Sequence, residues 1–176
     1  MINAFMQTRV SSSRLPSKVL KNIHGLPMFV QQAKRIQQCK KIDKLIVITS
    51  TEKSDDILEV ICKENNLLCF RGDLNNVLSR YYYAQLAYPC EHAVRVTADC
   101  PVIDSTLIDH VINAHLLSNN DYTSNCLKSS FPDGLDTEVI SKHALLDAYK
   151  YAKKPSELEH VTPYICNNPQ KYKLQN

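Results

Sequence analysis

Alternating apolar strands and amphipathic helices predict an α/β fold of three layers, with a mostly parallel sheet between two helical layers joined by right-handed crossovers. Two observations carry this prediction. The run "KLIVITS" (Lys44–Ser50) is β-branched and continuously apolar, as expected of a strand covered on both faces. Between this run and its sister runs, apolar residues recur at three- and four-residue spacing, which is one buried face of a helix.

The elements follow in order. "INAFMQ" (Ile2–Gln7) reads as a short strand and leads into a basic loop. Pro27 then opens a helix with Phe29, Val30, Ala33 and Ile36 on one face. After the strand Lys44–Ser50, a second helix starts at about Lys53, with Ile57, Leu58, Ile61 and Cys62 on one side. "LLCF" (Leu67–Phe70) is the third strand, and Val77, Leu78, Tyr81 and Ala84 mark the third helix. "HAVRVTAD" (His92–Asp99) is the fourth strand, and Leu107, Ile108, Val111 and Ile112 mark the fourth helix, with Asp104 placed to cap it. A less regular part follows: a loop with "FPDGLD", a strand at Thr137–Ile140, and a helix from Ser141 to about Ala152. Ser156-Glu157-Leu158-Glu159 then has the capping-box spelling of one more short helix. At 176 residues without repeat or linker, the chain is expected to form a single domain, 1–176.

Composition narrows the class. The chain is 44% hydrophobic and 22% charged, ordinary for a globular protein. Its longest apolar runs, such as "LIVI" at Leu45–Ile48, fall far short of the roughly 20 residues of a membrane helix. The first residues lack a secretory pattern, so a cytoplasmic location and no membrane partner are expected. Seven cysteines without a C-x-x-C pair fit reduced, mostly buried thiols better than a zinc site or a disulfide framework. The net charge of +3 divides unevenly: residues 1–44 hold nine Lys/Arg against one acid, and residues 45–176 twelve against seventeen. Such a division points to an anionic ligand at the N-terminal end. Nucleic acid is not the expected partner, because the basic stretch has no interleaved aromatics and the net charge is low.

In an open parallel sheet, ligands bind beyond the carboxyl ends of the strands. The rim residues are then Arg9–Lys18, Thr49–Thr51, Arg71–Asp73 and Asp99–Asp104, all segments with polar or charged side chains. The first loop, "QTRVSSSRLPSKVL", has neither a dinucleotide fingerprint nor a P-loop. Arg9, Arg14 and Lys18, with the hydroxyls of Ser11, Ser12 and Ser13 between them, nevertheless suit a triphosphate. An exposed basic loop is the alternative. Asp99, ending an apolar strand on the same rim, is the carboxylate that Mg²⁺ at a polyphosphate requires. Gly72 beside Arg71 supplies either a turn or close backbone approach to a nucleoside, and Arg80 either pairs within its helix or faces the ligand. Asp133 and Asp136 lie in a Pro-Asp-Gly turn, and Glu159 and His160 in "ELEHVTPY" are either structural or substrate contacts.

Five stretches in order, "RVSSSRLPSKVL", "FRGDLNNVLSRYY", "VRVTADCPVID", "FPDGLDTEV" and "EHVTPY", resemble the spore-coat-polysaccharide-type branch of the cytidylyltransferases. CMP-KDO synthetase and acylneuraminate cytidylyltransferase belong to the same superfamily. The resemblance implies a nucleotide-diphospho-sugar transferase fold and transfer of CMP from CTP to a sugar or sugar acid, with release of pyrophosphate and with Mg²⁺ as cofactor. By position, Arg9, Arg14 and Lys18 would cradle the triphosphate with Ser11, Ser12 and Ser13. Asp99, with Asp136, would hold the metal. Arg71 and Gly72 would lie near the nucleoside, and Asp133, Glu159 and His160 would face the acceptor. A homodimer is expected by the same analogy.

Three departures from the family pattern stand out. Ser17 replaces the glycine of L-P-G-K and would be strained if the position takes φ > 0. Ala98 replaces the glycine before the metal-binding Asp, and its methyl is expected to crowd the ligand. The later T-V-D-x-P-E-D-like segment is expected to be missing, since the sequence reads "KYKLQN" at its end. A glycosyltransferase of the same fold and a nucleotide-binding module without turnover remain the competing readings.

Overall fold

The computed structural model describes residues 1–11 and 15–176. Strand β1 (Ile2–Gln7) lies inside a seven-stranded sheet. A small hairpin, β2 (Asn22–Ile23) and β3 (Leu26–Pro27), precedes helix α1 (Met28–Ile36). Next come β4 (Lys44–Ser50), α2 (Asp56–Glu64), β5 (Leu68–Gly72), α3 (Val77–Ala87), β6 (His92–Thr97) and α4 (Ser105–Ser118). The remainder is β7 (Tyr122–Ser124), β8 (Glu138–Ser141), α5 (Lys142–Tyr151), α6 (Pro155–His160), α7 (Pro163–Cys166) and β9 (Leu174–Gln175).

The sheet order is β5-β4-β1-β6-β8-β7-β9. From β5 to β6 the strands are parallel, and β8 runs antiparallel between β6 and β7. Strand alternation sends Ala4, Met6, Leu45, Val47, Val94 and Val96 to the face covered by α1, α2 and α4. The opposite face, with Phe5, Ile46, Ile48 and Ala93, is covered by α3, α5 and α7. The expected three-layer α/β architecture is therefore present, and the apolar faces read from α1 and α3 are the buried ones.

The second half departs from simple alternation. The strand expected at Thr137–Ile140 is β8, one residue later, and β7 and β9, which follow it towards the sheet edge, carry too few apolar residues to be read. A buried ion pair fixes β8 beside β6: Glu138 accepts from its register partner Arg95, and also from Tyr122 Oη (2.6 Å) and Thr162 Oγ1 (2.9 Å). Helix α6 exists, but Ser156 does not cap it. Pro155 takes the first helical position, and Glu157 reaches back to the amides of Lys153 (3.0 Å) and Lys154 (3.1 Å).

On the other flank, His92 Nδ1 meets His115 Nε2 at 3.0 Å, and His115 Nδ1 meets Thr123 Oγ1 at 3.1 Å. Burial, then repulsion from His92, pushes the His115 imidazole down to about 4 from 6.5, against the pull of Asp121. With the folded pKa depressed, this contribution to stability is complete above about 6.5 and is lost as the pH falls towards 4. Denaturant unfolding should therefore show the wild type losing on the order of 2–3 kcal/mol more than His115→Gln over that window. Equal slopes for the two proteins would contradict the assignment.

Candidate active site

The connection from β1 goes outward to β4 and β5, and the chain then returns to β6 on the other side of β1. The loops after β1 and β6 thus part in opposite directions, leaving a crevice at their carboxyl ends. A cleft of about 240 Å³ occupies that place. Its floor is the end of β1 (Gln7, Thr8, Arg9) and the end of β6 (Thr97, Ala98, Asp99). Ser11, Lys18 and Val19 form one wall, Val77 and Arg80 of α3 another, and Glu159 and His160 of α6 a third. A second compartment of about 410 Å³, between residues 73–76 and α6, shares Arg9 and Glu159 with the first. The smaller one holds the concentrated charge.

The basic loop is anchored at its start. Val10 donates its amide to Asp55 Oδ1 (2.8 Å), and its carbonyl accepts from the amide of Ser17 (3.1 Å). Asp55 is fully buried and also accepts from Thr49 Oγ1 (3.0 Å), the Ser50 amide (3.2 Å) and Ser50 Oγ. The polar rim after β4 therefore serves the loop from below. Lys18, on the 3₁₀ turn Lys18–Leu20, extends Nζ to Asp99 Oδ2 at 2.5 Å. Burial alone would raise the Asp99 carboxyl, but hydrogen bonds from Lys18 and Thr97 prevail and hold it below the usual range.

Asp99 stands on a turn braced from α1. Gln32, fully buried, donates Nε2 to the Thr97 carbonyl (2.7 Å) and accepts from the Cys100 amide (3.0 Å). The α6 wall has its own brace. Val161 sits at φ 72°, ψ −54°, while the Thr162 amide bonds the His160 carbonyl at 2.8 Å. This is a γ-turn of the strained hand, held by the bond from Thr162 Oγ1 to Glu138. Such strain, of order 1–3 kcal/mol, persists only where surrounding contacts impose it. Here it fixes where α6 ends, and so where Glu159 and His160 stand.

The family model described as Cytidylyltransferase matches residues 4–176. The chain belongs to the cytidylyltransferase family. It is 34% identical over 175 residues to spore coat polysaccharide biosynthesis protein SpsF of Bacillus subtilis, covering 97% of this chain and 72% of that one. It is 35% identical over 173 residues to the uncharacterized protein MJ1063 of Methanocaldococcus jannaschii, covering 98% and 70%. Among solved structures it resembles a cytidylyltransferase from Leptospira borgpetersenii, with a TM-score of 0.94 and 30% identity over 99% of this chain and 74% of that one.

Of the site residues expected of a cytidylyltransferase chain, Arg9, Ser11, Lys18, Asp99, Glu159 and His160 line one cleft. Ser12, Ser13 and Arg14 lie outside the described residues. Arg71 does not reach the cleft. Its guanidinium is held by Asp56 (2.6 Å), Glu59 (2.9 Å) and the carbonyls of Ser50 (2.9 Å) and Glu52 (3.0 Å). Gly72 forms no turn but ends β5, paired with Ser50.

Asp133 and Asp136 line neither compartment. The turn they occupy has Gly134 at φ 91°. Burial and the charges of Asp133, Glu138 and Asp99 raise the Asp136 carboxyl, so Asp136 and Asp99 share one electrostatic environment. Ala98, 2% exposed, packs into the apolar cluster beneath the cleft and also forms part of its floor, where its methyl would meet a ligand. Burial keeps the Cys100 thiol protonated, and all seven cysteines are free.

Asp55, Gln32 and the Val161 turn were not read from the sequence. Gln32 had a signal, since it shares the face of Phe29, Ala33 and Ile36, where a polar residue must find buried partners. Ser17 takes φ 55°, ψ 24°, the left-handed conformation that its replacement of glycine implied. A side chain costs about 1–2 kcal/mol there, partly offset by the greater unfolded-state freedom of glycine. Ser17→Gly should therefore stabilise the protein by about 0.5–1 kcal/mol and raise Tm by about 1–4 °C. A lower Tm would show that the Ser17 side chain is needed.

Proposed function

We propose that the cleft transfers CMP from CTP to a hydroxyl of a sugar or sugar acid and releases pyrophosphate. The observation that carries this reading is the 2.5 Å approach of Lys18 to Asp99 across the ends of β1 and β6, with Arg9 lining the same cleft. A cation for phosphate and a carboxylate for a hard metal meet at one point. Family membership over residues 4–176 supports the reading.

In this account Arg9 and Lys18 bind the phosphates, joined by Ser11. The acceptor oxygen attacks the α-phosphorus, and the bond to the bridging oxygen of the β-phosphate breaks. The acceptor hydroxyl gives its proton to solvent water, and pyrophosphate departs with the electron pair of the broken bond. Lys18, released from Asp99 as phosphate enters, counters charge gathering on the α-phosphoryl oxygens. Glu159 and His160 hydrogen-bond the acceptor and hold its hydroxyl in line.

Asp99 is the residue to hold Mg²⁺, with Asp136 on the same side. Burial first, then the charges of Asp133, Glu138 and Asp99, raise the Asp136 carboxyl against the pull of Arg95. Among the described residues no group of three His, Cys, Asp or Glu could hold a metal. The donors therefore fit an ion that completes its shell with phosphate oxygens and water. Bound there, Mg²⁺ would neutralise phosphate charge and assist departure of pyrophosphate.

Pyrophosphate release on mixing the protein with CTP, Mg²⁺ and a panel of sugars and sugar acids tests the reading. Turnover with one acceptor is expected, and Lys18→Ala should lower it about 10²–10³-fold. Unfolding stability should change little, because the Lys18–Asp99 pair is partly exposed. A Lys18→Ala protein with the full wild-type rate would remove the cleft from the reaction. Consumption of a nucleotide sugar in place of CTP would favour the glycosyltransferase reading.

A further inference from the structure

Arg80 is 2% exposed, yet it lines the smaller compartment, the inner one, with the larger compartment between residues 73–76 and α6 outside it. Two of its three guanidinium nitrogens hold the main chain: Nε and Nη2 donate to the Asp73 carbonyl (2.9 and 2.7 Å), and Nη2 also donates to that of Leu74 (3.0 Å). Among the described residues no carboxylate forms an ion pair with it, whereas Arg71 nearby has two. A buried guanidinium without a counterion is costly unless it meets an anion or holds something that must not move.

What it holds is the Asp73–Asn76 loop. Asp73 Oδ1 accepts from the amides of Asn75 (2.8 Å) and Asn76 (2.6 Å), and Asn76 Oδ1 caps α3 at Ser79 (2.9 Å). All four residues of this loop line the outer compartment. One side chain thus borders the inner compartment and fixes a wall of the outer one.

Gly72 makes room for it. A Cβ at Gly72 would stand 2.9 Å from Arg80 Cγ and 3.4 Å from both Arg80 Cβ and Phe70 Cε1. The residue lies in a paired strand, outside the positive-φ region, so its need for glycine is space and not conformation. The two glycine readings open from sequence, a turn or a close ligand approach, both give way to a third: Gly72 is the seat of Arg80.

We propose that Arg80, seated on the bare Cα of Gly72, is a positioning residue that holds the Asp73–Asn76 loop as a wall of the nucleotide site. Its ligand-binding consequence rests on the cytidylyltransferase reading above. The loop-holding itself does not.

Hydrogen exchange of the Leu74–Val77 amides and calorimetric titration with CTP should be measured on the wild type, Arg80→Lys, Arg80→Ala, Gly72→Ala and the double variant. Arg80→Ala should speed exchange in the loop and weaken CTP by about tenfold, the loss expected for charge-assisted hydrogen bonds. Arg80→Lys should recover part of the affinity through its charge and little of the protection, lacking the fork. Gly72→Ala should reproduce Arg80→Ala, and adding it to Arg80→Ala should change nothing further, since the atom it displaces has gone. Gly72→Ala adds one methyl and keeps the test open should Arg80→Ala fail to fold. Additive effects, or an undisturbed loop in either single variant, would overturn the proposal. A wild type that binds no CTP would instead count against the nucleotide reading, while the exchange pattern would still decide the clamp.

Discussion

Strand β1 is paired along its length, with β4 on one side and β6 on the other, and the tethering continues past its end. Thr8 donates to the Ile48 carbonyl (3.0 Å), and Val10 donates to the buried carboxylate of Asp55. Ala98 donates in turn to the Gln7 carbonyl (3.0 Å), carrying the β1–β6 ladder beyond the strands. The chain can depart from the sheet only where these bonds stop. Arg9 and Lys18 therefore begin from a rigid edge, and Asp99 faces them from the next strand with Gln32 behind its turn. The precision of the cleft is borrowed from the sheet, which is why a loop with no glycine between Arg9 and Lys18 can serve it.

The charges follow the same logic. Without ligand, Lys18 and Asp99 satisfy each other, and the pair is open enough to separate without a large desolvation penalty. In the proposed reaction a phosphate would take Lys18 and free Asp99, so that binding the anion would prepare the carboxylate for a cation. The surplus of acid around Asp136 lies on that same side. Of the uneven charge balance seen in the sequence, Arg9 and Lys18 from the basic beginning and Asp99 and Glu159 from the acidic remainder line one cleft.

Strand β4 was legible because helices cover both faces and its apolar run Leu45–Ile48 is unbroken, whereas β1, β5 and β6 were legible from shorter apolar runs set between helical patterns. Their rim was legible because a parallel sheet exposes loops at one end. That rule, applied to the four loops, found Arg9, Lys18 and Asp99. It also marked Arg71, which lies at the right strand end but turns to Asp56 and Glu59 on α2, a choice set by tertiary neighbours. The places of Asp55, Gln32 and Arg80 were not legible: Asp55 and Gln32 hold main-chain groups of Val10, Thr97 and Cys100 far away in sequence, and Arg80 holds the carbonyls of a loop whose path no local pattern gives. Only its partner's position makes such a residue necessary. The antiparallel insertion of β8 rests similarly on the Arg95–Glu138 pair, which no local pattern announces.

Arg9, Lys18 and Asp99 are proposed to form one nucleotide site that acts with a divalent cation. Calorimetric titration of the wild-type protein with CTP, UTP, GTP and ATP, each with and without Mg²⁺, tests it most directly. The account predicts selective CTP binding, tightened by Mg²⁺ and weakened by Asp99→Asn only when the metal is present. Binding of none of the four, or equal binding of all four with no effect of Mg²⁺, would contradict it.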